Sequence, residues 1–253
     1  MKREKMAIYL SHIDSEIPVA GPSWVIPGTV EENCRYLAGK VDEVALLFFE
    51  AGSCLNYTVT DLPAALSEIG LCYHIHHPLD LPWSDGRAAA DVVCTLAEKA
   101  ATLAPRRHVI HPPESGPAAV ELIHGFADRL KSAGFDTADF LFENIRENDL
   151  TGLLGAIREC GFKICLDLGH ILAYGQQAIL SEDLSGLVKM LHLNAPGKDG
   201  MHESLERLDA RGVDVLGRLL ELLDKEGCIT VEVFYEKGFF NSLRFLNEYC
   251  GGR

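Results

Sequence analysis

Short apolar runs alternate with segments in which apolar residues recur every three to four positions, from one end of the chain to the other. The runs lie at 6–10, 43–49, 71–76, 108–111, 139–143, 163–168, 189–194 and 228–234, and are rich in Val, Ile, Leu and Phe. Near-continuous apolar runs of this length are those of strands covered on both faces in a parallel sheet. Between them, the helical period predicts helices over 29–39, 61–69, 86–104, 116–133, 149–160, 183–189 and 214–226, with a last one over 239–250. Thr29 followed by Glu32 makes a capping box at the start of the first helix. Gly70, Gly134, Gly161 and Gly227 each follow a helical stretch where a left-handed residue is wanted, and Pro105 stops the third helix.

A strand and a helix repeated eight times define an α/β protein with a parallel sheet. Two closures are open to such a chain, an open doubly wound sheet and a barrel. The open sheet usually carries a Gly-rich phosphate turn after an early strand. Neither G-x-G-x-x-G nor G-x-x-x-x-G-K-[ST] occurs, and 253 residues match the ~250 of a (β/α)8 TIM barrel. No Pro/Gly/Ser linker divides the chain, so residues 1–253 read as a single TIM-barrel domain. Residues 11–28 read as a long first βα loop.

Composition narrows the partners. Against 37 Asp and Glu the chain has 23 Lys and Arg, a net charge of −14 that repels phosphate backbones, so nucleic acid is not expected as a partner. The longest apolar runs, such as 44–49, are far short of the ~20 residues of a membrane helix, and the basic start MKREK leads into Ser, His and Asp too early for a signal-peptide core. The eight cysteines contain no C-x-x-C pair and several sit in apolar runs, which reads as free thiols in a cytoplasmic protein. Apolar helix faces allow a homodimer without requiring one.

In a barrel of this kind, chemistry sits at the C-terminal ends of the strands. Eight of ten histidines (His12, His74, His76, His77, His111, His170, His192 and His202) fall at or just beyond such an end, leaving His108 and His124 elsewhere. Glu143, Asp167 and Glu232 end the fifth, sixth and eighth runs. Carboxylates inside parallel strands are costly unless paired or metal-bound. One buried His alone is more often a hydrogen-bonded core residue than a ligand. Contributions from five strands at one level point instead to a divalent transition metal, with Zn²⁺ first and Mn²⁺ or Fe²⁺ next, since Mg²⁺ or Ca²⁺ alone would prefer oxygen. His12 and His77 read as substrate-facing or structural. His74 stands between a supporting and a direct role and is assigned to the substrate side. Trp24 and Trp83, on the first and third loops, could wall a wide apolar pocket or simply pack the loops.

These motifs resemble the xylose-isomerase-like barrel superfamily, and within it the endonuclease IV branch (AP endonuclease family 2) of metal-dependent phosphodiesterases. The resemblance runs through H76-H-P, I110-H111-P-P, F142-E143-N, D167-L-G-H170, H192-L-N, H202-E-S-L and V231-E232-V. It implies a ligand set of His76, His111, Glu143, Asp167, His170, His192, His202 and Glu232 for one to three ions, with Glu143 bridging two. The family's seventh loop carries Asp-x-His, whereas Asp199 precedes His202 by three, which puts Asp199 and a complete three-metal cluster in doubt. The segments 74–83 and 165–175 are similar to cobamide-remodelling hydrolases, which cut the nucleotide loop of a corrinoid.

The resemblance leaves two reactions open. A sugar (phosphate) isomerase or epimerase needs one metal on Glu143, Asp167, His192 and Glu232, with the glutamates as acid and base. A hydrolase of phosphodiesters uses in addition His76 and His111 for further metals, which clamp the attacking and leaving oxygens of a phosphoester. The second is expected, with Glu143 and Glu232 catalytic and a small phosphorylated metabolite, a corrinoid among the candidates, as substrate: Arg106 and Arg107 sit at the wrong end of the fourth strand for DNA, and the mouth loops offer mainly Lys198, Arg146 and Arg87. A barrel that only binds a ligand is the third reading, and intact Glu143 and Glu232 speak against it.

Overall fold

The computed structural model describes residues 17–252. Eight parallel strands close into a barrel: β1 (Val19–Pro22), β2 (Glu43–Leu47), β3 (Cys72–His76), β4 (His108–Ile110), β5 (Phe140–Glu143), β6 (Lys163–Asp167), β7 (Val188–Leu193) and, last in the chain, β10 (Cys228–Val231), which pairs with β7 and β1. Around it run α1 (Val30–Leu37), α2 (Ala51–Leu55), α3 (Gly86–Lys99), α4 (Ala119–Ser132), α5 (Leu154–Cys160), α6 (Leu168–Ala173), α7 (Ala210–Leu222) and α8 (Glu236–Gly251). Two short antiparallel strands, β8 (Ala195–Pro196) and β9 (His202–Glu203), fold the loop after β7 back on itself. Among the described residues no helix is long and apolar enough to cross a membrane.

The expected barrel is therefore present, with three local corrections. The strand expected over 6–10 and the candidate His12 lie outside the described residues, and the first barrel strand is β1, inside the stretch read as a loop. V-A-G-P hides its role because Gly and Pro are turn signals in strands. Gly21 is nonetheless demanded: a Cβ there would lie 2.7 Å from the Phe239 ring of α8. The helix expected over 183–189 does not form. Instead α6 begins directly after β6, a 3₁₀ turn covers Gln177–Ser181, and Gly186 at φ +68° leads the chain into β7. Gly70, Gly134 and Gly161 are left-handed as expected, but Gly227 is not. Its missing Cβ instead gives room to Leu223 and to the Asp224 carbonyl, 2.5 and 2.7 Å away.

The Thr29–Glu32 capping box forms in both directions. The main core lies between barrel and helices; Phe126, Phe142 and Phe162 pack there with centroids 5.0–5.9 Å apart. Inside the barrel a smaller cluster of Ala20, Val109, Leu141, Cys165, Met190 and Cys228 plugs the interior.

Candidate metal centre

The interior cluster sets the phase of every strand. Side chains alternate between the two faces with a period of two, so if Val109, Leu141, Cys165 and Met190 point inward, then His111, Glu143, Asp167 and His192 do so one level higher. Cys228 and Thr230 likewise put Glu232 inside, and β3 turns both His74 and His76 to the axis. The register joins these levels across strands: Asp167 pairs with His192 and Glu143 with Cys165. The structure thus brings all eight expected side chains to one mouth of the barrel, where Glu143, Asp167, His192 and Glu232 are almost fully buried.

Their atoms form overlapping groups, each within 4.8 Å, that could hold a metal ion: His76, His111 and Glu143; His76, His192 and Glu232; Glu143, Asp167, His192 and Glu232; and Asp167, His170 and His202. Glu143 links two of them. Its Oε2 faces His76 Nε2 at 3.2 Å and His111 Nε2 at 3.4 Å, while Oε1 faces His192 Nδ1 at 3.1 Å and His170 Nδ1 at 3.7 Å. Glu232 Oε2 lies 3.4 Å from His192 Nδ1 and 3.3 Å from His202 Nδ1. Ligands 2.0–2.2 Å from one ion are separated by roughly 3–3.5 Å.

Two observations fit the donor set to an ion. The first is tautomeric: Nδ1 of His76, His170 and His202 lies 3.1, 2.8 and 3.0 Å from the carbonyls of His77, Asn144 and Glu232. A carbonyl only accepts, so each Nδ1 donates, and Nε2 of the neutral ring keeps its lone pair for a metal. The second is the presence of buried atoms with no hydrogen-bond partner among the described residues: Glu143 Oε1 and both ring nitrogens of His192. Such atoms cost about 1–3 kcal/mol each unless another bond takes them.

Burial pushes the carboxyls of Glu143 and Glu232 up, but the His192 charge and the neighbouring imidazoles outweigh it and hold both well below the usual carboxylate range. For Asp167 burial wins and raises the pKa. Burial disfavours the cations of His192 and His202, yet the surrounding acidic groups lift His192 well above its ordinary value and His202 to about 9.

A supporting shell holds the carboxylates. Asp167 caps α6, accepting from the His170 N–H at 2.6 Å, and its Oδ2 accepts from Asn194 Nδ2 at 2.8 Å. Asn144 Oδ1 accepts from the Asp167 N–H, and Asn144 Nδ2 donates to Gln176 Oε1, whose own amide donates to the Ile145 carbonyl. Asn144, Asn194 and Gln176 join the site beyond the residues the sequence points to. The first two stand in E143-N and H192-L-N, and the inward parity of Asn194, two residues beyond His192, was the available signal.

The residues expected on the substrate side do not gather at one place. His74 shares the inward face of β3 but sits one level below His76, fully buried, its Nδ1 2.6 Å from Glu43, with Arg107 on the other Glu43 oxygen at 3.8 Å, so it does not face substrate. His77 pairs with His108, Nε2 to Nδ1 at 3.0 Å, and is structural. Trp24 is half exposed and lines a cavity of about 210 Å³ against Phe49. Trp83 lines a different one, donating to the His111 carbonyl at 2.9 Å, so the two indoles do not wall one pocket. Asp199 lies in the turn Lys198–Gly200 between β8 and β9.

Above the ligands is a chamber of about 240 Å³, walled by Leu47, Phe48, Phe49 and Phe234 and floored by His76, His111, Glu143, His170, His202 and Glu232. A second cavity of about 770 Å³ adjoins it at His111 and His170.

No family model matches the chain, and no curated protein matches it by sequence. Solved structures match along nearly its whole length. Endonuclease IV from Thermus thermophilus shares 18% identity at a TM-score of 0.65, over 93% of this chain and 100% of that one. A D-tagatose 3-epimerase-like protein shares 16% at 0.67, over 92% and 97%. A xylose isomerase domain protein from Planctomyces limnophilus shares 18% at 0.66, over 92% and 96%. At such identities the likeness is one of fold alone: the chain shares the TIM-barrel fold of these structures.

Proposed function

We propose that the protein is a metal-dependent phosphodiester hydrolase acting on a small phosphorylated metabolite, with nucleic acid disfavoured by its −14 charge. The observation that carries this reading is the split of Glu143: Oε2 faces Nε2 of His76 and of His111, whereas Oε1 faces His192 Nδ1. A carboxylate with imidazole nitrogens on both of its oxygens suits two ions, and a one-metal enzyme has no use for the His76 and His111 side. When bound, divalent ions, zinc first among them, supply a water of lowered pKa and neutralise charge gathering on the phosphoryl oxygens. Glu143 spans the two positions. Asp167 is held by Asn194 and the start of α6, so that it does not swing during the reaction. Leu47, Phe48 and Phe234 exclude competing water. A corrinoid nucleotide loop is the specific substrate suggested by the resemblance of 74–83 and 165–175.

Glu232→Gln tests the assignment: turnover of bis(p-nitrophenyl) phosphate by the zinc-loaded protein should fall by at least roughly 10³-fold, while the melting temperature stays within a few degrees. Retained turnover would remove the assignment.

The second reading, a sugar isomerase or epimerase, is favoured by the complete four-residue group of Glu143, Asp167, His192 and Glu232. There the glutamates move a proton on a carbon beside a carbonyl. Solvent deuterium entering a ketose, with one equivalent of metal sufficient for full activity, would establish it; no incorporation across a ketose panel would dismiss it.

A further inference from the structure

We propose that the 770 Å³ cavity beside the metal centre is a subsite for the non-reacting part of the substrate, and that Arg146 binds a second anionic group of the phosphate type there. The proposal rests on the phosphodiester reading and extends it to the substrate's shape and charge.

Size is the first observation. The chamber over the ligands, about 240 Å³, is smaller than the range of roughly 300–1,000 Å³ typical of ligand pockets, whereas the lateral cavity lies in its upper half. The two meet at His111 and His170, so one molecule can reach from the metals into the larger space.

Rigidity is the second. Pro112 and Pro113 form one wall with fixed φ angles. Trp83 is pinned by its bond to the His111 carbonyl and by the Phe126 and Phe142 rings. A wall already shaped before binding loses little freedom on binding.

Charge is the third. Arg146 follows Glu143 by three residues in a tight turn closed by reciprocal bonds between Ile145 and Asn148, at 2.9 and 3.1 Å. Asn148 Nδ2 ties that turn to the Pro113 carbonyl at 2.8 Å, and Gln176 ties it to α6 through the Ile145 carbonyl at 2.7 Å. The guanidinium is 6.0 Å from the Tyr174 ring centroid, and Tyr174 in turn lies against His170, with ring centroids 5.6 Å apart. Among the described residues Arg146 is the only Lys or Arg lining either cavity, and no described carboxylate forms an ion pair with it. Arg146, Glu114 and Glu147 are all exposed on the same wall, and neither carboxylate is paired with the guanidinium. In a chain of net charge −14, a guanidinium with no carboxylate partner, fixed at its backbone and next to the candidate ligands, has the geometry for bidentate binding of a phosphate.

The test compares one organic body bearing one or two phosphates. Calorimetric titration of the zinc-loaded protein with AMP and with adenosine 3′,5′-bisphosphate should show the bisphosphate binding roughly ten- to a hundredfold more tightly. Arg146→Gln should bring that ratio near one, and Arg146→Lys should keep part of it. Equal affinities in the unaltered protein, no binding of either nucleotide, or a ratio that survives Arg146→Gln would overturn the proposal. Turnover of bis(p-nitrophenyl) phosphate is followed separately: a lost ratio with turnover intact removes the subsite alone, whereas a preserved ratio without turnover removes the hydrolase reading.

Discussion

Gly169 carries a constraint out of proportion to its size. A Cβ at this position would sit 1.8 Å from Asn194 Oδ1, and Asn194 is the residue that holds Asp167 Oδ2. Gly169→Ala should therefore push Asn194 off Asp167 and weaken zinc binding by roughly 10- to 100-fold, read by competition with a chromophoric chelator; an unchanged affinity would mean that Asn194 does not support the site. The His77–His108 pair makes a second residue-level prediction. Burial, with the charge of His74 adding to it, lowers the His108 pKa to about 4, and burial with His108 and His76 nearby lowers that of His77 well below its ordinary value. In the unfolded chain each imidazole takes up its proton near pH ~6.5. Their contribution to stability is thus complete above that pH and is lost as pH falls from about 6.5 towards 4, by about 3 kcal/mol for His108 alone. Urea unfolding across this range should show the decline, and His108→Phe should make it shallower even though it lowers stability at neutral pH.

At the scale of elements, the packing of α3 on α4 rests on Gly86. A Cβ there would meet the Leu122 carbonyl oxygen at 2.1 Å, a backbone atom that moves only if the helices part. Gly86→Ala should cost about 2–3 kcal/mol in urea unfolding. Because α4 is linked to β4 by the segment carrying Pro112 and Pro113, the wall of the lateral cavity should loosen as well. The same close approach explains β1: Gly21 lets Phe239 of α8 lie against the first strand. β6 and α6 join without a loop because Asp167 ends the strand and caps the helix at once. The helix after the sixth strand is thus α6 rather than one over 183–189, and His170 lies in it, three residues from Asp167.

At the scale of the whole molecule, three carboxylates and five imidazoles crowd one mouth of a barrel that already carries a net charge of −14. Ions that bind the folded state alone stabilise it by mass action. Zinc at about a hundred times its dissociation constant should add about 2.7 kcal/mol per site, seen as a melting temperature that rises with zinc and falls with chelator; a temperature indifferent to both would argue that the cluster holds no ion. The barrel, the seven strands from β2 onward and the level at which the acidic and imidazole groups gather were legible in the chain, because buried parallel strands impose continuous apolar runs and a period of two imposes an inward face. Local patterns of that kind did not reveal β1, whose four residues read as a turn until β2 and β10 pair with them. Nor did they separate His74 from His76, which share a face and differ only in depth. Placement of Asn194 behind Asp167, the separation of Trp24 from Trp83, and the cation of Arg146 in a large cavity all depend on groups far apart in sequence. Hydrophobic periodicity is a property of each segment and is written in the sequence itself, whereas depth, hydrogen-bond partners and cavity shape are properties of distances between segments, set only when the barrel closes.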